Sequence, residues 1–360
     1  MKILRVLLII WVTTAWGCGD DFTLISETPE PMEGECADDV SFIDVPDWNY
    51  EIIEIPHSFN RGWKPYFVDE NTGFLYGSDN VLRKTTNGGK DWNIVYRELQ
   101  NISYWSMHFI DKSLGFLSTQ NKRESGNSTF YGSLLKTTNA GDTWEVIDSE
   151  PEGILRNLQF INEDEGFAIT GGESFDPDDY MSYLIKTVDG GQTWQKVDDI
   201  TTPASVNNKL EIFEDGFGYV GGDDRKIYFT SNFGKDWYAK DTPTGFNSLQ
   251  FLDKDNGFIY KFNELLKTTD GGDTWTTISK LKIDFYHFFS PDEGISYQGV
   301  YETDGRTSCF AFLTTEDGGS TWKRGEALSA FRLSNVFFLN NKLGYGAYDF
   351  NPGQFVIFSR

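Results

Sequence analysis

Six times this chain returns to one eight-residue pattern, with Thr first, Asn or Asp third, Gly fifth and Trp eighth. The copies are Thr85–Trp92, Thr137–Trp144, Thr187–Trp194, Thr230–Trp237, Thr268–Trp275 and Thr315–Trp322, and their tryptophans lie 52, 50, 43, 38 and 47 residues apart. A unit of that length recurring along a chain signals a stacked or circular array. It outranks any local reading of helix or strand.

A second element precedes each box: an aromatic residue, a turn and a Gly. It runs Phe67–Gly73, Phe109–Gly115, Phe160–Gly166, Phe251–Gly257 and Phe288–Gly294, and the fourth copy reads as Phe213–Gly218, one residue shorter. A seventh copy, Phe338–Gly344, has no box after it. The missing strand is found at the other end, where Asp47-Trp48-Asn-Tyr-Glu-Ile-Ile53 matches the run that follows a box, Asp91-Trp92-Asn-Ile-Val-Tyr96. The sequence therefore predicts an all-β fold, a single seven-bladed β-propeller over residues 47–360 with the last blade closed by the N-terminal strand. Such closure leaves few free sheet edges. Composition agrees, since 16% aromatic residues, 36 Gly and only 4 Met suit short strands and tight turns.

The boxes resemble the Asp-box, or bacterial neuraminidase repeat, and the resemblance covers residues 48–360. It implies that the boxes lie on hairpins opposite the ligand face. It also implies that Asn87, Trp92, Asn139, Trp144, Asp189, Trp194, Asn232, Trp237, Asp270, Trp275, Asp317 and Trp322 are structural. Local chemistry concurs: Asn or Asp can bond backbone N–H groups within a turn, Gly supplies positive φ, and Trp buries apolar surface. Asp91 and Asp236 replace the Thr of other boxes, so side-chain bonding there must differ. Over its whole length the chain is similar to the photosystem II assembly-factor propellers. These are single seven-bladed domains with an N-terminal lipid or targeting segment that hold partner proteins through an arginine-rich patch.

The N-terminus reads as an address. Lys2 and Arg5 precede the apolar run Val6–Val12, and Ala15-Trp16-Gly17-Cys18 follows, the order of a secretory signal over residues 1–17. Cys18 after small residues resembles a lipoprotein lipobox, which implies lipidation at Cys18; an ordinary signal peptide is the alternative. The following Asp20 and Asp21 resemble signals that route some lipoproteins to the outer membrane. Residues 18–46 then read as an acidic tether, and an anchored cell-envelope location is expected. Two cysteines remain, and Cys36 and Cys309 form a candidate disulfide.

With 31 basic and 55 acidic side chains, the formal charge is −24. That balance excludes a nucleic-acid partner and leaves the lipid as the only membrane contact. His57, His108 and His287 show no metal-ligand spacing, and His108 and His287 share one repeat position that accepts a mixture of residues, which reads as packing. Glu173, Asp176, Asp178 and Asp179 crowd one loop, either a solvated segment or a cation site. No cofactor or metal is expected. Trp63 and Trp105 each lie ten residues before a repeat Gly, a register shared by Arg156, while Arg61 and Arg332 share another. If these segments enter the innermost strands, Trp63, Trp105, Arg61, Arg156 and Arg332 line one face as a ligand site; otherwise the tryptophans fill gaps between blades. The expected function is a non-catalytic, monomeric binding lipoprotein with an envelope protein or glycan partner. The alternative, a sialidase-like glycoside hydrolase, lacks the Phe-Arg-Ile-Pro signature at Asn60-Arg61-Gly62.

Overall fold

The computed structural model describes residues 49–55, 63–77, 80–97, 102–122, 130–148, 153–171, 181–203, 209–221, 225–283, 285–301, 307–329, 333–348 and 354–360. Cys18, Cys36, Trp48, His57, Arg61, Arg332 and the acidic loop 173–179 lie outside them. Cys309 contributes backbone to a strand, opposite Val300 and Ser329.

Among the described residues, 28 strands form seven four-stranded antiparallel sheets. Six blades are four consecutive strands each. The seventh is built from Leu333–Asn340, Leu343–Tyr348 and Gln354–Ser359, with Asn49–Glu54 as its outer strand. Asn49 stands opposite Ser359 and Glu54 opposite Gln354, so the chain's beginning completes its end. The innermost strand of blade one, Lys64–Phe67, packs on that of blade seven, Leu333–Asn340, and the ring is shut. The predicted seven-bladed ring and its closure are both observed.

Burial follows from this layout. Blades cover one another's faces, so second strands such as Gly73–Tyr76 and Gly218–Gly221 are buried on both sides. Outer strands such as Asn93–Arg97 alternate only weakly and face water. Each repeat Gly is required by close approach: a Cβ on Gly73 would sit 2.5 Å from the Phe67 ring, and one on Gly257 2.6 Å from Phe251.

One register differs from the sequence reading. Ile212, not Phe213, pairs with Gly218, as Phe67 pairs with Gly73. The fourth copy is therefore full length, with Ile in the aromatic position. Phe213 instead occupies the turn position of Val68, each N–H donating to a carbonyl four residues on (2.7 Å to Phe217, 2.9 Å to Thr72).

Strand alternation sorts the loops between two ends. The turn after each innermost strand and the box hairpin share one end, joined by backbone bonds such as Gly88 N–H to the Asn71 carbonyl (2.9 Å) and Gly190 N–H to that of Asp164 (2.8 Å). The innermost strands begin at the other end, which we call the mouth.

Candidate functional site

The box end is scaffold, built six times from one set of bonds. In each box the first Thr hydroxyl donates to the Asn or Asp side chain and accepts from the fifth-position Gly N–H, as in Thr268 to Asp270 (2.7 Å) and Gly272 to Thr268 (2.9 Å). The seventh-position N–H then returns to the same carboxylate or amide, as Thr274 does to Asp270 (2.9 Å). Where the third residue is Asp, the seventh is Thr, whose hydroxyl donates to it: Thr193 to Asp189, Thr274 to Asp270 and Thr321 to Asp317, each 2.6 Å. The three boxes whose third residue is Asn reverse the donor, and in box two Asn139 donates to Thr143 (2.8 Å). Asn87 donates to Asp91 and Asn232 to Asp236, both at 2.8 Å. The expected difference is thus a carboxylate acceptor in place of a hydroxyl, and Asn in the third place keeps two carboxylates from facing each other. The Thr274 hydroxyl and N–H hold the Asp270 carboxyl down at about 2.

The box tryptophans straddle the seams. Trp144 meets Phe109 of its own blade at 88° and Phe74 of the preceding blade at 83°, both edge-on. Trp237 does the same with Phe167 across its seam, at 74°.

A ring of rivets joins the innermost strands. Tyr66 Oη accepts from Phe109 N–H (3.0 Å), and Gln159 clamps both backbone groups of Ile212 (2.6 and 2.8 Å). Gln250 does likewise to Phe288, at 2.9 Å for both bonds. His108 takes the same place, its Nε2–H donating to the Phe160 carbonyl (3.0 Å), while His287 lies flat against Phe338. Burial pushes His108 down to about 4 and, with Lys209 nearby, His287 down to about 3. Both are neutral packing residues near pH 7, as the mixed repeat position suggested.

The mouth is where the repeat breaks. Trp63, Trp105 and Arg156 share a sequence register, but two β-bulges separate them. Ser106 pairs with Ser118 and Tyr104 with Thr119, leaving Trp105 as the extra, bulged residue. Tyr104 therefore takes the place of Trp63, and both are 2% exposed. In blade three the bulge falls after Arg156, which pairs with Ile169 three residues past its Gly, as Lys64 pairs with Tyr76. The shared register thus resolves into three different positions.

Trp63 is consequently a packing residue. It lies in the cluster of Phe67, Leu75, Tyr345 and Phe355 between blades seven and one, with the Arg83 guanidinium 5.0 Å from its ring. Asn335 of blade seven donates to its carbonyl (2.8 Å). The expectation that both indoles line one face is corrected here, because the Trp105 bulge has no counterpart at Trp63.

Trp105 is half-buried and held between two cations. Arg156 stands 4.9 Å from its ring centre on the blade-three side, and the Lys64 ammonium stands 4.9 Å away on the blade-one side. Lys64 Nζ also donates to the Trp105 carbonyl (2.9 Å), and the indole N–H donates to Gln120. Burial, and then the Arg156 charge, lowers Lys64 from 10.5 to about 8. Burial lowers Arg156 as well. Two cations and an indole from three blades thus stand together, half-buried, in an otherwise acidic chain. Lys64 was missed in the sequence, although its neighbour Trp63 was singled out. The repeat register at the bulge would have been needed to find it.

Among the described residues, no group of three or more His, Cys, Asp or Glu is placed to hold a metal ion.

No family model matches the chain. Among curated proteins, the photosystem II assembly lipoprotein Ycf48 of Synechococcus sp. (strain CC9902) is 21% identical over 30% of this chain and 43% of its own length, so the match spans less than half of that relative. Among solved structures, Ycf48 bound to a D1 peptide matches with a TM-score of 0.64 at 17% identity, over 89% of this chain and 100% of that one. Ycf48 from Cyanidioschyzon merolae gives 0.59 at 13% identity, over 86% and 98%. A GH74 xyloglucanase from Xanthomonas campestris gives 0.56 at 12% identity, over 85% of this chain and 53% of that one. At such identities the structures speak to fold alone, and in fold this chain is similar to the Ycf48-type seven-bladed propeller.

Proposed function

We propose that this chain is a non-catalytic adaptor that holds a protein partner at the mouth of its ring, with Trp105, Lys64 and Arg156 as the anchor. The carrying observation is the indole set between two cations on three adjacent innermost strands. A half-buried amphipathic ring flanked by cations offers apolar area and charge at small entropic cost. The likeness to Ycf48, described as an assembly lipoprotein and as bound to a peptide, supports a protein over a glycan. Arg61 and Arg332, which lie outside the described residues, are proposed as further ligand-binding residues.

The address completes the proposal. Lipidation at Cys18 anchors the ring to the cell envelope, residues 18–46 act as its tether, and the boxes serve as Asp-box scaffold. Changing Cys18→Ala is expected to move the protein from the membrane fraction to the soluble one, and unchanged fractionation overturns the anchor. A Cys36–Cys309 cross-linked peptide in a non-reduced digest tests the disulfide, which two free thiols would dismiss.

The binding reading is tested by capture from solubilised envelope with wild type and Trp105→Ala. The specific partner is expected to be lost from the variant while its melting curve is kept. Release of a chromogenic glycoside by the purified protein would instead establish the hydrolase alternative.

A further inference from the structure

A second candidate site lies at the box end, on the seam between blades three and four, and it emerges from comparing that seam with its neighbours. The residue before the box Thr is Lys in blades one, two, three and five: Lys84, Lys136, Lys186 and Lys267. Three of these ammonium groups stand over the Phe that follows their own repeat Gly, at 5.6 Å for Lys136 on Phe116, 5.9 Å for Lys186 on Phe167 and 5.6 Å for Lys267 on Phe258.

From that perch the lysine crosses to the next blade. Lys84 reaches Asp142 at 2.6 Å, and Lys136 reaches Glu163 at 2.7 Å. Lys267 reaches the Pro291 carbonyl at 2.7 Å, with Asp292 at 4.0 Å. Each seam is thereby sealed by an oxygen acceptor.

At the blade three–four seam Lys186 forms no such pair among the described residues: Asp215, in the turn place of Glu163, accepts from Phe217 N–H (2.9 Å) instead. Where box two carries Asp142 and box five Asp273, box four carries Lys235. Lys186 and Lys235 both line a pocket of about 430 Å³ there, walled by Val188, Val197 and Trp237. Among the described residues neither lysine forms an ion pair. Two other charged residues line the pocket, and both are engaged. The Asp236 carboxylate accepts from Asn232 (2.8 Å), and the Lys196 ammonium stands 3.9 Å over the Tyr183 ring. Two ammonium groups without an ion-pair partner, at a seam that lysine and acid bridge elsewhere, leave room for the carboxylate of a ligand.

We propose that this pocket binds a carboxylate-bearing ligand of about monosaccharide size, its carboxylate bridging Lys186 and Lys235 and its body lying against Trp237 and Val188. The volume exceeds that of a bare carboxylate, and the half-buried indole supplies a wall for a ring. The site lies at the opposite end from Trp105 and does not depend on the adaptor reading.

The experiment uses glucuronate as probe, with glucose and inorganic phosphate as controls at matched ionic strength, read by titration calorimetry and by melting temperature. Glucuronate is expected to bind and to raise the melting temperature with concentration, as mass action requires, while glucose does neither. Lys235→Asp restores the acid found in boxes two and five. It is expected to melt no lower than wild type without ligand and to weaken glucuronate binding about tenfold or more. Lys235→Ala should weaken binding without supplying a competing acid. Undetectable glucuronate binding, or binding that survives both variants, overturns the site, and phosphate binding as tightly as glucuronate overturns the carboxylate assignment.

Discussion

The two ends of this ring obey different rules. At the box end, six hairpins repeat one bonding scheme, and even the Asp91 and Asp236 substitutions are absorbed by an Asn donor in the third place. At the mouth, strands aligned in sequence are pushed out of register by bulges, and Trp105 emerges where Tyr104 keeps the repeat. Repetition here marks what the fold needs. Departure from it marks what the ring does not require, and the proposed partner site lies there.

The comparison can be broken first at the seam of the ring itself. Deleting residues 47–55 removes the strand paired with Gln354–Ser359 and bares an edge, so loss of cooperative melting and aggregation are expected. A soluble, cooperatively melting remainder would show that the strand is dispensable. Next in size are packing changes. Trp63→Ala empties a buried position and should cost about 3–5 kcal/mol in denaturant unfolding. Gly141→Ala should cost about 1–3 kcal/mol, because φ is +80° and the new Cβ would lie 2.4 Å from the Phe74 ring.

The mouth should respond to pH where the boxes do not. Lys64 sits at about 8 when folded and near 10.5 when unfolded, so the unfolded chain binds more protons between those values. Its burial cost is fully present below pH 8 and is relieved as pH rises toward 10.5, so stability gains there while the site loses a cation. Arg156 keeps its charge throughout. Partner binding is expected to weaken above about pH 8 in wild type and to lose that step in Lys64→Met, measured at constant salt. The smallest effect belongs to the boxes. Asp270 is depressed to about 2, so its contribution is present above 3.8 and fades as acid approaches 2. Asp270→Asn should flatten that acid limb slightly and leave binding unchanged.

How much was legible follows the same division. The box spacing, the orphan seventh copy and the Asp47–Ile53 match were enough to read the blades and their closure, because each is a repeat of something else in the chain. The fourth copy was misread by one residue because Phe213 imitates the aromatic position that Ile212 fills. Trp63 and Trp105 were equated because counting residues back from a Gly cannot register a bulge. The Lys186 seam was overlooked because its meaning lies in Asp142 being Lys235 two seams away, a relation between blades rather than within a motif.

Hydrogen–deuterium exchange with and without the captured partner tests the central division between scaffold and mouth most directly. Added protection is expected over Lys64–Phe67, Ile102–Ser106 and the start of Ile154–Phe160, with the six box hairpins unchanged. Protection confined to the boxes, with those innermost strands unaffected, would contradict it.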